Sequence, residues 1–302
     1  MGHSTVRFIL ALLVMLVIAV SGCVSQPGDQ TPEQVSDYHE NTKPNMTGRI
    51  LIDIVGEFSF NPEDIISVRP DIFKPGYFSI FDILVHLDNE DSIDMEYRFD
   101  ESMNTHVIDS INGMGNLWHT AFYDGGWTEQ NVYRMDHYPY KDKMFINIHR
   151  EDESRIQDIY NEYKEEIARK QVNGGKVIIP EVTITGPTTN LLFEDVEVTA
   201  HNLRNDTFQD GVITALDVIL SLGDQGRLTY DLKWYESIGR AGIVKNYYVE
   251  QINDDRSFNR CGFVYEAGPE QYSGFRGNHI HVQTDIRTIN SPEYVEFFWI
   301  CL

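Results

Sequence analysis

The chain carries an internal duplication. Residues 76–102 align without gaps on residues 211–237, and five of the aligned positions are identical. The identical pairs are Gly76 with Gly211, Asp82 with Asp217, Leu87 with Leu222, Glu101 with Glu236, and Ser102 with Ser237. The match resumes at residues 106–112 and 247–253 and then pairs Tyr123 with Tyr265. A repeat of this length predicts two similar folded units.

The apolar patterns of each copy predict an α+β fold, with a strand pair, one short helix and several further strands. The helices are expected at residues 78–87 and 213–222, each with Ser79 or Thr214 near its start. Strands are expected at residues 49–55, 94–99, 106–111 and 144–148 in the first copy, and at 176–184, 196–200, 228–235, 246–252, 261–265 and 296–300 in the second. One helix would then cover one mixed sheet in each copy.

A third helix is predicted between the copies, over residues 153–171. Its apolar side chains recur at helical spacing, and Asn173-Gly174-Gly175 ends the pattern. These side chains are Ile156, Ile159, Tyr160, Tyr163 and Ile167. We expect this amphipathic stripe to dock on a neighbouring unit, and a face that waits for a partner is the alternative.

The N-terminus resembles that of an exported prokaryotic lipoprotein. Residues 8–20 form an apolar run that suits a signal peptide and is short for a membrane span. The run leads to Val20-Ser21-Gly22-Cys23, which is similar to a lipobox, so Cys23 is expected to carry the lipid. A cleaved secretory signal or an uncleaved anchor is the alternative, and both would also export the chain. The polar residues 24–48 are expected to form a flexible tether.

These signals divide the chain into five parts. Residues 1–22 are the predicted signal peptide, 23–48 the lipidated tether, 49–150 the first repeat, 151–175 the connecting helix with its glycine stop, and 176–302 the second repeat. The expected location is the outer face of the cell membrane, with the membrane as a partner through the N-terminal lipid.

The charge of the chain limits its partners. There are 24 Lys+Arg against 47 Asp+Glu, a net charge of -23, and loss of residues 1–22 removes Arg7 and gives 23 against 47, or -24. This excludes a nucleic-acid binder that depends on phosphate contacts. Two sequons, at Asn45 and Asn205, are candidate glycosylation sites if the host modifies exported proteins.

The three cysteines fit an oxidising exterior. If Cys23 takes the lipid, Cys261 and Cys301 remain as a pair, each at one end of a strand-like run, and a disulfide between neighbouring strands is expected. Two buried free thiols are the alternative. A zinc site is disfavoured because neither cysteine lies in a Cys-x-x-Cys spacing.

Short motifs in both copies resemble the β-grasp-like domain found at the C-terminal end of transcobalamin and in many prokaryotic surface proteins. The motifs lie at residues 79–84, 107–113 and 118–126, and again at 214–219, 248–253 and 263–268. The resemblance implies two tandem β-grasp-like domains joined by the connecting helix, and corrinoids as one ligand class. The turn that is commonly Asn-Gly in that family is Asp124-Gly125 and Glu266-Ala267 here, and no cobalamin contact can be assigned to a residue of this chain.

Three groups of residues are candidate sites. Trp118, Tyr123, Trp127 and Tyr133 crowd into a glycine-containing segment and could line a ligand groove or fill a core. His279 and His281 alternate on one strand with Asp285 at the same parity, which suits a metal ion, although solvent-facing histidines are the commoner outcome. Residues 206–217 have the outline of a calcium loop, but Phe208 occupies a position that needs oxygen.

No catalytic motif accompanies these candidates: Gly-x-Ser-x-Gly, His-Glu-x-x-His and the phosphate-binding Gly-x-x-x-x-Gly-Lys are all missing from the sequence. The sequence predicts a non-catalytic binding or interaction lipoprotein without a cofactor, whose partner is a small ligand or another surface protein. A structural or adhesive surface protein is the main alternative, and a metal- or corrinoid-binding uptake accessory protein is a further one.

Overall fold

The computed structural model describes residues 48–53, 55–123, 127–130, 134–237, 244–269 and 283–301, with backbone only at 123 and 127–130. The first repeat contains β1 (Gly48–Ile52), β2 (Gly56–Phe60), α1 (Ile80–Asn89), β3 (Met95–Asp100), β4 (Thr105–Ile111), β5 (Leu117–Tyr123), β6 (Trp127–Gln130) and β7 (Phe145–Arg150). The helix α2 (Glu153–Val172) follows. The second repeat contains β8 (Val177–Thr185), β9 (Asn190–Val198), α3 (Leu216–Asp224), β10 (Tyr230–Tyr235), β11 (Asn246–Ile252), β12 (Asp255–Arg256), β13 (Cys261–Gly268) and β14 (Tyr294–Cys301).

Both repeats build a mixed sheet in the same way, which confirms the α+β class. The first sheet has the order β2-β1-β7-β5-β6 and the second β13-β14-β8-β9. In each sheet the last strand of the repeat lies parallel to the first, β7 beside β1 and β14 beside β8, and the other neighbours are antiparallel. The hairpin β3-β4 and the ribbon β10-β11-β12 form two smaller antiparallel sheets.

The shared aspartates begin the two core helices. Ser79 Oγ accepts a hydrogen bond from Asp82 N, and Asp82 Oδ2 accepts one from Ser79 N, so the pair forms a capping box. In the second repeat Thr214 N and Oγ1 both donate to Asp217 Oδ2. Burial raises the pKa of Asp82. The expected helices are confirmed, and the duplicated carboxylates serve their first turns.

The connecting helix α2 contacts both repeats. Ile156, Ile159 and Tyr163, in its N-terminal and middle turns, belong to the main core cluster, most of whose members lie in the first repeat. In its second half, Arg169 Nε donates to Ser291 O at 2.8 Å and Lys170 Nζ to Asn290 Oδ1 at 3.3 Å. The predicted stripe is therefore docked, and the helix ties the repeats together.

The repeats meet at equivalent residues. Phe73 and Phe208 form an isolated antiparallel bridge, and their ring centroids lie 5.7 Å apart. Lys74 N donates to Thr207 O at 2.9 Å, and Gln209 N donates to Ile72 O at 2.8 Å. The alignment that pairs Gly76 with Gly211 also pairs Phe73 with Phe208, Lys74 with Gln209 and Ile72 with Thr207. Each of the two hydrogen bonds is therefore the equivalent of the other. The contact is thus isologous, like the contact at the twofold axis of a homodimer.

The sheet registers correct one pairing of the sequence alignment. Ser79 forms an isolated bridge with Pro139, as its counterpart Thr214 does with Thr288, and the same spacing along the chain then pairs Ile146 with Val295. Their neighbours in the sheets therefore correspond as well, Ile50 and Ala121 in the first and Val182 and Ala267 in the second. On this register His119, not Tyr123, is the counterpart of Tyr265. The sequence alignment was wrong in pairing Tyr123 with Tyr265. The loop before β13 is longer than the loop before β5, and this difference shifted the match by four residues.

The predicted disulfide is present. Cys261 and Cys301 lie directly opposite each other on β13 and β14, and their sulfur atoms are bonded. Among the described residues, no helix is long and apolar enough to cross a membrane.

Candidate functional site

A buried arginine lies at the same place in each repeat. Arg69 and Arg204 are 3% and 7% exposed, and each is followed two residues later by an aspartate. Arg69 donates through Nε and Nη2 to Asp71 at 2.9 and 2.7 Å, and Arg204 donates through the same two atoms to Asp206 at 3.0 and 3.1 Å. The local geometry is a bidentate pair in both copies.

Each arginine also holds a second, distant carboxylate. Arg69 Nη1 donates to Asp136 Oδ2 at 2.8 Å, and Arg204 Nη1 donates to Asp285 Oδ2 at 2.8 Å. Asp136 is 0% exposed and Asp285 is 1% exposed. These charges can remain buried because each one is paired and hydrogen-bonded. We call Arg69 with Asp71 and Asp136 the first Arg–Asp centre, and Arg204 with Asp206 and Asp285 the second.

Hydrogen-bond donors on β4 and β11 bind the buried aspartates of the two centres. Thr105 Oγ1 donates to Asp136 Oδ1 at 2.5 Å and His106 N to Oδ2 at 2.9 Å. In the second repeat, Asn246 Nδ2 donates to Asp285 Oδ1 at 2.5 Å and Tyr247 N to Oδ2 at 2.9 Å. The donors occupy matching positions, so the duplication preserved this arrangement while the side chains changed.

An aromatic side chain covers each arginine. The guanidinium carbon of Arg69 lies 5.6 Å from the ring centroid of Phe99, and that of Arg204 lies 5.5 Å from Trp234. Phe99 and Trp234 are aligned partners on β3 and β10. A cation over a ring face is stabilised by the ring quadrupole. The ribbons therefore pack onto the Arg–Asp centres through their aromatic residues.

Each centre makes polar contacts with the other repeat. His137 Nδ1 lies 2.8 Å from Thr288 Oγ1, and His137 Nε2 lies 2.8 Å from Arg69 Nη1. Lys141 Nζ donates to Val244 O at 2.7 Å and also to Asn246 Oδ1, and Asn246 in turn donates to Asp285 of the second centre. The first centre therefore reaches the second repeat through His137, and the second centre reaches the first repeat through Asn246.

The first centre is not poised for proton transfer near neutral pH. Burial would raise the pKa of Asp136, but the His137 and Arg69 charges and the His106 and Thr105 hydrogen bonds hold it well below its usual range. Burial, with the nearby guanidinium groups of Arg69 and Arg134, lowers the pKa of His137 to about 3. The charged groups are held in fixed ion pairs, which suits a rigid framework.

The structure breaks the duplication at one pair of buried carboxylates. Glu266 and Glu296 lie directly opposite on β13 and β14 and are each 3% exposed, whereas Thr120 and Asn147 occupy these places in the first repeat. Tyr294 Oη donates to Glu296 Oε2.

Another carboxylate, on α2, also has a shifted pKa. Burial and the neighbouring Glu166 raise the pKa of Glu162 to about 8.

The predicted aromatic group is described in part. Trp118 is 5% exposed and belongs to the core, where it lines a small cavity with Arg134, Tyr160 and Tyr163. A buried indole offers no free face to a ligand. The side chains of Tyr123 and Trp127 and the whole of Tyr133 lie outside the described residues, so a groove at this segment stays a prediction.

The predicted metal sites gain no support from the described residues. Both oxygens of Asp285 accept hydrogen bonds within the second centre. Across the described residues, no group of three metal-ligating side chains occurs, but His279 and His281 lie outside that part. In the calcium-like segment, Asp206 pairs with Arg204, and Asp217, in the first turn of α3, accepts from Thr214 N, so these carboxylates serve different elements.

The predicted modification sites remain open. Asn205 is exposed beside the second centre, and Thr207 of its sequon is 2% exposed with Oγ1 accepting from Arg204 Nη2. Cys23 and Asn45 lie outside the described residues.

A buried histidine in the first sheet makes the stability of the protein depend on pH in a way that can be tested. His119 is 1% exposed on β5, and neither of its ring nitrogens has a hydrogen-bond partner in the described part of the chain. Burial lowers its pKa to about 3, from 6.5 in an unfolded chain, and His149 adds to the effect. Its counterpart, Tyr265, shows that a larger aromatic ring fits at this position.

Replacing His119 with phenylalanine should reduce the loss of stability in acid. Below pH 6.5 the unfolded wild type binds a proton at this residue and the folded protein does not. The free energy of unfolding is therefore highest above pH 6.5 and falls as the pH drops towards 3. Between pH 7.5 and 4.5 this one group removes about 2.7 kcal/mol. Urea unfolding at pH 7.5 and 4.5 measures the difference, with His86→Gln, at a partly exposed position on α1, as the control. Equal pH dependence in wild type and His119→Phe would contradict the assignment.

Comparison of the chain with models of known families, with curated proteins and with solved structures found no match. The likeness to the transcobalamin C-terminal domain therefore stays a prediction that rests on the short motifs.

The Arg–Asp centres were not predicted from the sequence. The available signal was the Arg-x-Asp triplet at residues 69–71 and 204–206, which keeps the same spacing as Gly76 and Gly211. Asp136 and Asp285 were harder to find, because loops of different length precede them.

Proposed function

We propose that the protein is an exported, membrane-anchored and non-catalytic binding lipoprotein, made of two β-grasp-like repeats. The observation that carries the proposal is a fixed framework with exposed aromatic side chains. Polar contacts from each Arg–Asp centre to the other repeat hold the two repeats together, and each repeat carries a ribbon with aromatic side chains. On β3, Tyr97 is 39% and Phe99 45% exposed. Exposed aromatic groups on a fixed framework supply contact area at a low cost in side-chain entropy.

Three further features support an extracellular location. The N-terminal run with Cys23 predicts a lipid anchor, the Cys261–Cys301 disulfide suits an oxidising compartment, and the strong negative charge keeps a surface protein dispersed. A structural or adhesive surface role remains the second candidate, and the isologous contact of the repeats is compatible with it. Binding of a metal or a corrinoid is a third candidate that rests on His279, His281 and the motif resemblance alone.

Replacing Cys23 with alanine tests the anchor. We expect wild-type protein in the membrane fraction with a diacylglyceryl mass on Cys23, and Cys23→Ala protein without lipid and released from the membrane if its signal is still cleaved. Fractionation and mass spectrometry of the N-terminal peptide measure both. Membrane-bound Cys23→Ala, together with wild type that carries no lipid, would refute the lipoprotein assignment.

A further inference from the structure

A rigid turn in the second repeat has no counterpart in the first. Between β4 and Leu117 the first repeat has only residues 112–116, whereas residues 253–262 stand between β11 and Phe263, the counterpart of Leu117. The longer segment contains β12 and a tight turn at Phe258–Cys261. It was gained by one repeat, or lost by the other, after the duplication.

Several independent contacts hold this turn in place. Phe258 N donates to Cys261 O at 3.0 Å, Cys261 N donates to Phe258 O at 2.9 Å, and Ser257 N donates to Glu250 O at 2.8 Å. The disulfide to Cys301 fixes the turn to the last strand. Such bracing removes the conformational freedom that an exposed loop would otherwise lose on binding.

A buried aspartate anchors the base of the turn. Asp255 is 5% exposed, and its carboxylate accepts from Thr188 Oγ1 at 2.7 Å and Thr189 N at 2.7 Å. A Cβ atom at Gly186 would lie 2.2 Å from Asp255 Oδ2, so only glycine allows this approach. The β8-β9 loop is therefore shaped to receive the inserted segment.

The turn presents an aromatic surface. Phe258 is 58% exposed, and its ring centroid lies 6.0 Å from that of the partly exposed Trp299, with 36° between the ring planes. The buried Phe263 supports Trp299 from below in an edge-to-face contact at 5.1 Å. We call the first two rings the Phe258–Trp299 plate. Asn259 and Arg260 stand exposed beside it.

We propose that the Phe258–Trp299 plate binds carbohydrate, stacking on the apolar face of a sugar ring while Asn259 and Arg260 contact its hydroxyl or carboxylate groups. This inference rests on the proposed binding function and names the ligand class of one surface. The two rings lie close together, tilted by 36°, on a turn that is fixed in place, which suits contact with the C–H face of a pyranose. Amide and guanidinium groups at its rim provide directional donors for the polar edge of the sugar.

The surroundings favour a glycan over a bilayer or a nucleic acid. The neighbours of Phe258 in the turn, Ser257, Asn259 and Arg260, are polar, and their insertion into lipid would leave hydrogen-bonding groups unsatisfied. The net charge of -24 on residues 23–302 repels both anionic lipid and phosphate backbones. A neutral sugar chain can meet the plate without either cost, and for a uronate chain the local positive charge of Arg260 opposes the repulsion.

The test uses the full chain in detergent, with affinity electrophoresis through gels that contain neutral or uronate-rich polysaccharides. Wild type should be retarded by at least one polymer, with a change in tryptophan fluorescence on addition of the soluble polymer. Phe258→Ala should bind at least about tenfold more weakly, since an aromatic contact worth about 1.4 kcal/mol is lost. Arg260→Ala should weaken binding to uronate polymers more than to neutral ones. Ile66→Ala, which changes an 83% exposed residue away from the plate, is the matched control.

Each outcome decides the proposal. Retardation that persists in Phe258→Ala, or no retardation of wild type by any polymer, overturns the plate as a sugar site. Binding to phosphatidylglycerol vesicles that is lost in Phe258→Ala would replace the glycan with a membrane. The broader binding function fails separately, if the protein degrades any polymer or retains nothing from a cell-surface extract. Thermal unfolding of each variant shows that the fold is intact.

Discussion

Replacing Arg69 with methionine should lower the free energy of unfolding by about 3 to 5 kcal/mol. The substitution leaves Asp136, which is 0% exposed, without the cation that pairs with it at 2.8 Å. Arg204→Met should have a similar effect through Asp285, since the second Arg–Asp centre has the same geometry.

Urea unfolding of the full chain at pH 7 measures this effect. The control is Arg49→Met, because Arg49 and Glu57 form an ion pair whose side chains are 64% and 48% exposed, and such pairs contribute at most about 1 kcal/mol. Replacing both charges, as in Arg69→Met with Asp136→Leu, should recover much of the loss, since no unpaired charge is then buried. A loss below about 1 kcal/mol for Arg69→Met would show that water reaches Asp136 and that the centre is not closed.

Removing the disulfide should be nearly as costly. Cys261 and Cys301 are separated by 40 positions in the chain, and closing a loop of that length stabilises a folded protein by about 4 kcal/mol in the chain-entropy model. We therefore expect a variant with Cys261→Ser and Cys301→Ser to unfold at a clearly lower urea concentration. The bond also holds the ends of β13 and β14 together, so strand fraying should begin there.

Reduction of the wild-type protein provides an independent measurement. Dithiothreitol should bring its unfolding midpoint close to that of the double variant and should leave the midpoint of the double variant unchanged. Alkylation in denaturant without reductant should label neither Cys261 nor Cys301. Free labelling of both, or equal midpoints with and without reductant, would contradict a structural disulfide.

The local patterns in the sequence were good guides to the fold. The helix at Ser79 and Asp82, its copy at Thr214 and Asp217, and the connecting helix α2 were predicted because capping residues and apolar spacing act over a few residues. The disulfide was predicted because export and an even number of remaining cysteines suggest it. The duplication then gave the order of the elements in the second repeat from those in the first.

The long-range features were beyond such patterns. Arg69 and Asp136 are 67 positions apart, and charged residues are usually on the surface, so nothing local indicates that they meet in the interior. The match of His119 with Tyr265 depends on the register of β5 with β7, and the unequal loops before β5 and β13 hide it from sequence alignment. The Phe258–Trp299 plate requires two residues that come together only when β13 pairs with β14.

The contact between Phe73 and Phe208 bears on how such a chain can acquire new features. In a dimer of identical subunits, any substitution or insertion appears twice, and both copies must tolerate it. Once the two units are joined in one polypeptide, each can change alone while its neighbour keeps the shared framework intact. The inserted turn at residues 253–262 and the opposed glutamates, Glu266 and Glu296, illustrate that freedom: one repeat can be modified while the other continues to stabilise the whole.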